Sequence, residues 1–450
     1  MKVAIEAPTP DVNVIKELLS PWDILFTEPD EADISIIYNQ KPCQIKAAVM
    51  IPYGSAGFVT CAKETDLDVT RKIGYLTSVN ATDQTKLTFT PEFLYCFGKL
   101  AKVAFEEETL TEILTKDDKL ILKIDLVEEY RLITEGILHP EQSTFHRVVT
   151  GLPIPYGLAP RRLRDFLMKT DKGVDLALNS KLPLDALRFL LVNAIEKICG
   201  EKLKKTSLFA HSNVCILTHD VETTIGLQRT RSIKKIEEKY DVGSVWYVPS
   251  NRYKLDKEIV RELSNHGEVG SHDTKHDGKL VHLKERELVE RLKDSRLTLE
   301  KIVEKPVVGF RAPMLQHNHT ILQAIKEAGY LYDTSVPTWE PKHPYTMKPH
   351  GIGTVFPLKL NGLPEIPLTL TQDHQLIHVL GLSSEKVLKS WETMASVIRD
   401  IGGVSVFLVH PDYELADSGT ELYEQLISDL TSDSKTVVTV PSKIYTTLNE

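Results

Sequence analysis

Asp220 and Glu222 sit in the run Leu217-Thr218-His219-Asp220-Val221-Glu222. If that run is a strand, residues two apart point to the same side, so both carboxylates face one way. Two carboxylates brought together repel unless a cation or a proton lies between them. A metal bound by one of them, with the other left as a base, resolves the conflict. A second segment, Gly270-Ser271-His272-Asp273-Thr274-Lys275-His276, supplies two histidines four residues apart. On a helical turn that spacing places both imidazoles on one face, where they can grip a single ion. One carboxylate and two imidazoles suit Zn2+ with a position left open for water. Co2+ or another first-row ion accepts the same donors. A water on such an ion becomes a nucleophile near neutral pH.

Three further segments bear on the same chemistry. Gly309-Phe310-Arg311-Ala312-Pro313-Met314 offers a cation to hold Asp220 ionised. Tyr332-Asp333-Thr334-Ser335 offers an acid, with Trp339 shortly after, and Phe407-Leu408-Val409-His410-Pro411 offers a histidine directly after an apolar run. That histidine is a candidate general acid whose tautomer Asp333 is expected to fix. Singly, each of these three is an ordinary structural residue, and their weight comes from occurring as a set.

The elements that would bring them together are strands alternating with helices. Strands are expected at 214–220, 244–248, 268–271, 307–311, 330–334, 364–367, 404–409 and 436–440. Helices are expected at 256–266, 284–304, 319–328, 384–401 and 421–430. Gly267, Gly329 and Gly402 follow three of those helices, as C-terminal stops do. Alternating units imply a parallel sheet covered by helices, and seven or eight of them match the size of an irregular (β/α) barrel. Each chemical segment ends a strand, and in such a barrel the strand ends share one face. Residues 1–205 read as a separate α/β domain of unassigned role. Its expected strands are 2–5, 32–38 and 47–51, and its expected helices are 12–19, 90–107 and 181–199. The barrel is expected over 206–450.

The 450-residue chain has length for two or three domains. Its formal net charge of -9, without a long Lys/Arg cluster, gives no electrostatic support for binding nucleic acid. No run of apolar residues is long enough to span a membrane, and the first residues do not read as an export signal, so a cytoplasmic location is expected. Five widely spaced cysteines make neither a disulfide framework nor a metal knuckle and are expected to be reduced, mostly buried thiols.

In this order the five motifs resemble the polysaccharide deacetylase family, also called the NodB-homology or carbohydrate esterase family 4 group. The likeness runs from about residue 213 past His410. It implies a deacetylase-type irregular barrel and the metal-dependent hydrolysis of the N-acetyl amide of a sugar or glycan, releasing acetate and an amino sugar. It also implies that Asp220 is the catalytic base, that Glu222, His272 and His276 hold the metal, and that Arg311 tethers the base. Asp333 would support the acid His410, while Pro313, Trp339 and Asp373 would meet substrate. The chain departs from the common pattern in two places. Val221 separates the first pair of acids and the second is Glu, and Met314 stands where Tyr is common. Two other readings stay open: an amidase acting on a small linear or cyclic non-sugar amide, and a non-catalytic glycan-binding protein.

Overall fold

The computed structural model describes residues 1–38, 48–51, 111–114, 119–122, 125–140, 184–210, 213–340, 343, 350–417 and 419–449. The expected helix at 90–107 lies outside these residues. Contacts divide the chain into two compact units. One comprises Met1–Gly136, Ala177–Ala210 and Ile352–Thr354, the other Ile137–Leu176, His211–Gly351 and Val355–Glu450. Among the described residues, no helix is long and apolar enough to cross a membrane.

The first unit is α/β, as its sequence implies. Its strands are β1 (Lys2–Glu6), β2 (Leu25–Phe26), β3 (Ile34–Tyr38), β4 (Ala48–Ile51), β5 (Thr111–Leu114) and β6 (Lys119–Leu122), in the sheet order β2-β1-β3-β4-β6-β5. All neighbours pair in parallel except β5 with β6. The fully buried β3 reads Ile-Ser-Ile-Ile-Tyr, the near-continuous apolar run of a strand covered on both faces. The helices Thr9–Leu19 and Leu184–Cys199 belong to this unit. Arg188 of the second is fully buried, and its guanidinium donates to the carbonyls of Glu17 (2.8 Å) and Leu18 (3.3 Å) at the end of the first. A cation thus answers the open carbonyls that every helix leaves at its C-terminus.

The second unit is built on a nine-stranded curled sheet. Its strands are β7 (Asn213–Asp220), β8 (Val245–Val248), β9 (Glu268–Ser271), β10 (Gly309–Phe310), β11 (Tyr332–Asp333), β12 (Leu358–Leu360), β13 (Leu363–Glu365), β14 (Val404–Leu408) and β15 (Thr436–Thr439). The order is β12-β13-β11-β10-β9-β8-β7-β14, with β15 also paired to β7. All pairs are parallel except β12 with β13. The strand β7 is forked in its pairing. Along one edge lies β14, and along the other β15 covers Asn213–Ile216 while β8 takes Thr218–Asp220. The segment after β13 turns back beside β14, where the Leu370 N–H donates to the Val406 carbonyl.

The expected deacetylase-type (β/α) arrangement is therefore present as a curled partial barrel. The antiparallel β12, the helix Thr224–Lys239 and the final helix Pro441–Asn449 are additions to the sequence reading. The other helices fall close to their expected spans: Lys257–His266, Glu285–Val303, His319–Glu327, Ser384–Ile401 and Thr420–Ser432. Asp256 caps the first of these by accepting from the backbone N–H of Glu258 and Ile259. Gly402 ends the fourth at φ 76°, a left-handed stop that glycine adopts without a Cβ penalty.

Among the described residues Cys199 and Cys215 are free thiols, the second of them buried.

Candidate active site

Because β7 to β11, β13 and β14 run in parallel, their C-terminal ends meet on one face of the sheet. Asp220 is the last residue of β7, and Val221 is fully buried behind it. The alternation along an extended chain then returns Glu222 to the Asp220 side. His272 follows β9, Arg311 follows β10, and His410 comes two residues after β14.

His272 and His276 do not sit on a helical turn, contrary to the expectation from their spacing. The chain after Ser271 is an irregular loop in which Asp273 (φ 68°) and His276 (φ 50°) are left-handed. Two ion pairs hold that shape. Arg291 donates to both oxygens of Asp273, at 2.7 and 2.5 Å, and to Asp277 Oδ1 at 2.7 Å. Backbone strain of this kind persists where surrounding contacts over-determine it.

The outcome is a three-residue group. One ligand atom each from Glu222, His272 and His276 lies within 4.8 Å of the others. His276 Nε2 is 3.0 Å from Glu222 Oε1. His272 Nδ1 meets the Arg311 carbonyl at 2.8 Å, and a carbonyl only accepts, so that nitrogen carries the proton. The bare Nε2 therefore faces the group, buried and without a hydrogen-bond partner. Burial, outweighing the pull of Asp220, lowers the His272 imidazole to about 4, which keeps it neutral. Behind Glu222, its backbone N–H donates to Asp412 Oδ2 at 2.9 Å, and the Thr223 hydroxyl donates to Asp412 Oδ1.

Asp220 stands beside this group, with Oδ2 3.8 Å from His272 Nε2 and 4.0 Å from His410 Nε2. Arg311 is fully buried and donates from Nη1 to Asp220 Oδ1 (3.1 Å) and Thr218 Oγ1 (2.8 Å). From Nε it donates to Thr334 Oγ1 at 3.0 Å, and its central carbon lies 4.5 Å from the centroid of the Tyr247 ring. Burial pushes the Asp220 carboxyl up, but Arg311, His272 and His410 outweigh it and hold the group below its usual value. Glu222 is held low in the same way, by His276 and Arg252 against its own burial.

The expected partner of His410 is corrected. Asp373 meets the imidazole, with Oδ1 2.6 Å from Nδ1 and Oδ2 accepting the His410 backbone N–H at 2.8 Å. Oδ1 also accepts the His374 N–H at 2.7 Å. Both Asp373 oxygens are thus engaged within the protein, and its expected contact with substrate is a proposal. Burial opposes a charge on His410, but Asp373, with Asp220 and Glu222 near, raises it to about 10.

Asp333 is placed elsewhere. It is fully buried at the end of β11, opposite Glu365 of β13, and accepts from the Ser335 hydroxyl at 2.6 Å. Burial raises Asp333 to about 6, and burial with the Asp333 charge raises Glu365 well above the usual range. Two carboxyls confined together hold a proton between them, so Asp333 takes part in an acid pair rather than in orienting His410. Pro313 opens the short turn after Arg311, and Trp339 is buried. Their contact with a substrate remains a proposal. Sequence reading did not single out Asp412 or Arg252. Asp412 carries a signal, since it directly follows His410-Pro411, whereas Arg252 carries none.

The family model described as polysaccharide deacetylase matches residues 210–332. Among solved structures, a polysaccharide deacetylase candidate from Mycobacterium smegmatis is 19% identical, over 53% of this chain and 91% of that one, with a TM-score of 0.45. A CE4 family pseudoenzyme from Bacillus anthracis is 16% identical over 52% of this chain and 66% of its own, with a TM-score of 0.36. The CE4 domain of a multidomain xylanase from the hindgut metagenome of Trinervitermes trinervoides is 14% identical over 53% and 92%, with a TM-score of 0.36. No curated protein matches the chain. The matched segment contains Asp220, Glu222, His272, His276 and Arg311, and the C-terminal half of the chain carries a polysaccharide deacetylase domain.

Proposed function

We propose that the second unit is a metal-dependent hydrolase that removes the N-acetyl group of a carbohydrate, releasing acetate and an amino sugar. The observation that carries this reading is the meeting of Glu222, His272 and His276 at one point beside a second carboxylate, Asp220. The polysaccharide deacetylase match supports carbohydrate deacetylation in general.

The donor set fits a divalent cation. Two imidazoles and a carboxylate are ligands that Zn2+ accepts in open catalytic sites, and Co2+ suits them as well. His272 has the correct tautomer, with its lone pair on the unpartnered Nε2. When bound there, such an ion polarises the amide oxygen and acidifies a water.

The chain's own residues do the rest. Asp220, ionised beside Arg311, keeps Oδ2 free of that guanidinium and takes the proton of the attacking water. The water oxygen bonds to the acetyl carbon and the carbon–nitrogen bond breaks. His410 enters the reaction protonated, because Asp373 binds its Nδ1–H and leaves the Nε2–H facing Asp220 and Glu222, each 4.0 Å away. That proton goes to the departing nitrogen, so the sugar leaves as an amine. Thr218 and Thr334 fix the guanidinium of Arg311 and so the direction of Asp220.

The test is acetate release from N-acetylated sugars by protein loaded with Zn2+ or Co2+, alongside Asp220→Asn. The variant should bind the metal stoichiometrically and lose turnover by ~100-fold or more, the contribution of a positioned base. Full activity in the variant would reject Asp220 as the base. Metal-loaded protein that releases no acetate from any N-acetylated sugar, yet cleaves a small non-sugar amide, would replace the carbohydrate reading with the amidase one.

A further inference from the structure

One guanidinium at the site helps to hold Glu222 ionised but makes no hydrogen bond in the chemistry above. Arg252 lies four residues beyond the end of β8, on the loop at the same end of the sheet as Asp220 and His272. Its side chain is 18% exposed, so most of it is out of water. Its nearest carboxylate is Glu222, with Nη1 3.6 Å from Oε2, which is an ion pair too long for a hydrogen bond. Nη1 is buried and has no hydrogen-bond partner.

The arginines around it all make hydrogen bonds, although Arg311 also keeps its Nη2 buried and unpartnered. Arg311 is used on Asp220, Thr218 and Thr334, and Arg291 on Asp273 and Asp277. Arg229 pairs with Asp417 and donates to the Asp412 carbonyl. A guanidinium has five donors in a rigid fork, and leaving a largely buried one unused is costly.

The loop does not leave Arg252 free to swing away. The Ser250 N–H donates to the Asp273 carbonyl (3.0 Å), and the Asn251 N–H donates to the Thr274 carbonyl (2.8 Å). The Tyr253 hydroxyl donates to the Val221 carbonyl (2.8 Å). Residues on both sides of Arg252 are therefore pinned to the His272–His276 loop and to the link between Asp220 and Glu222. The scaffold that positions the metal-binding group also aims this cation at it. A Glu222 engaged by a metal ion has its charge already matched, which leaves Arg252 as an uncompensated cation with open donors.

We propose that Arg252 selects substrate by binding an oxyanion, a phosphate or a carboxylate, that the acylated sugar carries near its acetamido group. The inference rests on the deacetylase reading of this site and narrows its substrates to anionic sugars. The planar fork matches either oxyanion in a bidentate manner.

The test compares metal-loaded full-length protein with Arg252→Gln and Arg252→Lys. The probes are N-acetylglucosamine 1-phosphate, N-acetylmuramic acid and uncharged N-acetylglucosamine, read by calorimetric affinity and by acetate release. Arg252→Gln should weaken affinity and raise KM for the preferred anionic sugar by roughly 10- to 100-fold, the worth of a charge-assisted hydrogen bond. At matched metal loading the loss should be several-fold smaller for the uncharged sugar, and Arg252→Lys should recover part of it. Whichever anionic sugar shows the effect assigns the oxyanion as phosphate or carboxylate. Equal losses on all three probes at matched metal loading would overturn the proposal by making Arg252 a support for Glu222 alone. Wild-type protein that binds neither anionic sugar more tightly than the neutral one would overturn it as well. If no probe releases acetate but the anionic sugar still binds through Arg252, the oxyanion site stands and the deacetylase reading falls.

Discussion

Replacing Asp373 by Asn tests the most specific geometric claim about the acid. The change keeps the shape of the side chain and removes its charge. Asp373 accepts three hydrogens, two from backbone N–H groups and one from the His410 imidazole. An amide has one accepting oxygen, so its NH2 must face either a backbone N–H or the imidazole. The bond to His410 is charge-assisted, and such bonds contribute about 1.5–3 kcal/mol. That is about one to two pKa units. With this support removed, burial works against the imidazolium, and His410 falls from about 10 by at least that amount. The acid acts only while protonated, so activity is lost as pH rises through its pKa. The alkaline limb of the kcat profile should therefore move down by about one to two units in the variant. Loss of orientation should also lower kcat at neutral pH by ~100-fold. The assay is acetate release across neutral to alkaline pH at matched metal loading. Comparing the two proteins cancels any effect of the ion on His410 common to both. Limbs that superimpose, with kcat intact, would refute the assignment of Asp373 and His410 together.

Glu237 is fully buried and receives the Tyr423 hydroxyl, the Ser244 hydroxyl and the Nε2 atoms of His219 and His266. Against the cost of burial, these partners hold it at about 2. Its folded value lies below the usual ~4.3, so this stability is present above that pH and is lost as pH falls toward about 2, on the order of 3 kcal/mol in full. Glu237→Gln should cost ~2–4 kcal/mol at neutral pH and flatten that acid dependence, read from denaturant midpoints at two pH values. A variant as stable as the parent would contradict the network. Gly226→Ala would place a Cβ 2.5 Å from Asp412 Oδ1, although alanine ordinarily favours a helix over glycine. The displaced Asp412 would release the Glu222 backbone, and metal affinity in a chelator competition should fall by roughly 10-fold. Unchanged affinity would mean that Asp412 gives way without consequence for Glu222.

The sequence disclosed those parts of the site that are local in the chain. Asp220 and Glu222 share a face because a strand alternates, and that rule needs no tertiary information. The partner of His410 lies 37 residues away, on the segment after β13, and nothing in either stretch ranks Asp373 above Asp333. Both acids end or follow a strand, so the choice depends on how the sheet curls, which hydrophobic periodicity does not encode. The helical spacing of His272 and His276 was misleading for a related reason. Arg291, fifteen residues further on, sets the loop through Asp273 and Asp277, and the histidines converge through left-handed residues instead of a helical face. Most strand ends of the second unit are readable to within a few residues, since glycine stops and buried apolar runs are local signals. The antiparallel β12 is not, because it pairs across a two-residue turn at Asn361-Gly362 whose flanks are too short to show a period.

The forked pairing of β7 gives the last stretch of the chain a protective task. Among the described residues only β15 covers the Asn213–Ile216 stretch of that edge, since β8 does not begin to pair until Thr218. A chain trimmed ahead of Thr436 would bare a row of main-chain donors and acceptors along an apolar strand that holds Cys215 and ends in Asp220. Raw edges of that kind recruit other strands. Shortened versions of the protein are thus apt to self-associate through the very strand that carries the proposed base, and the tail acts as the guard of that seam.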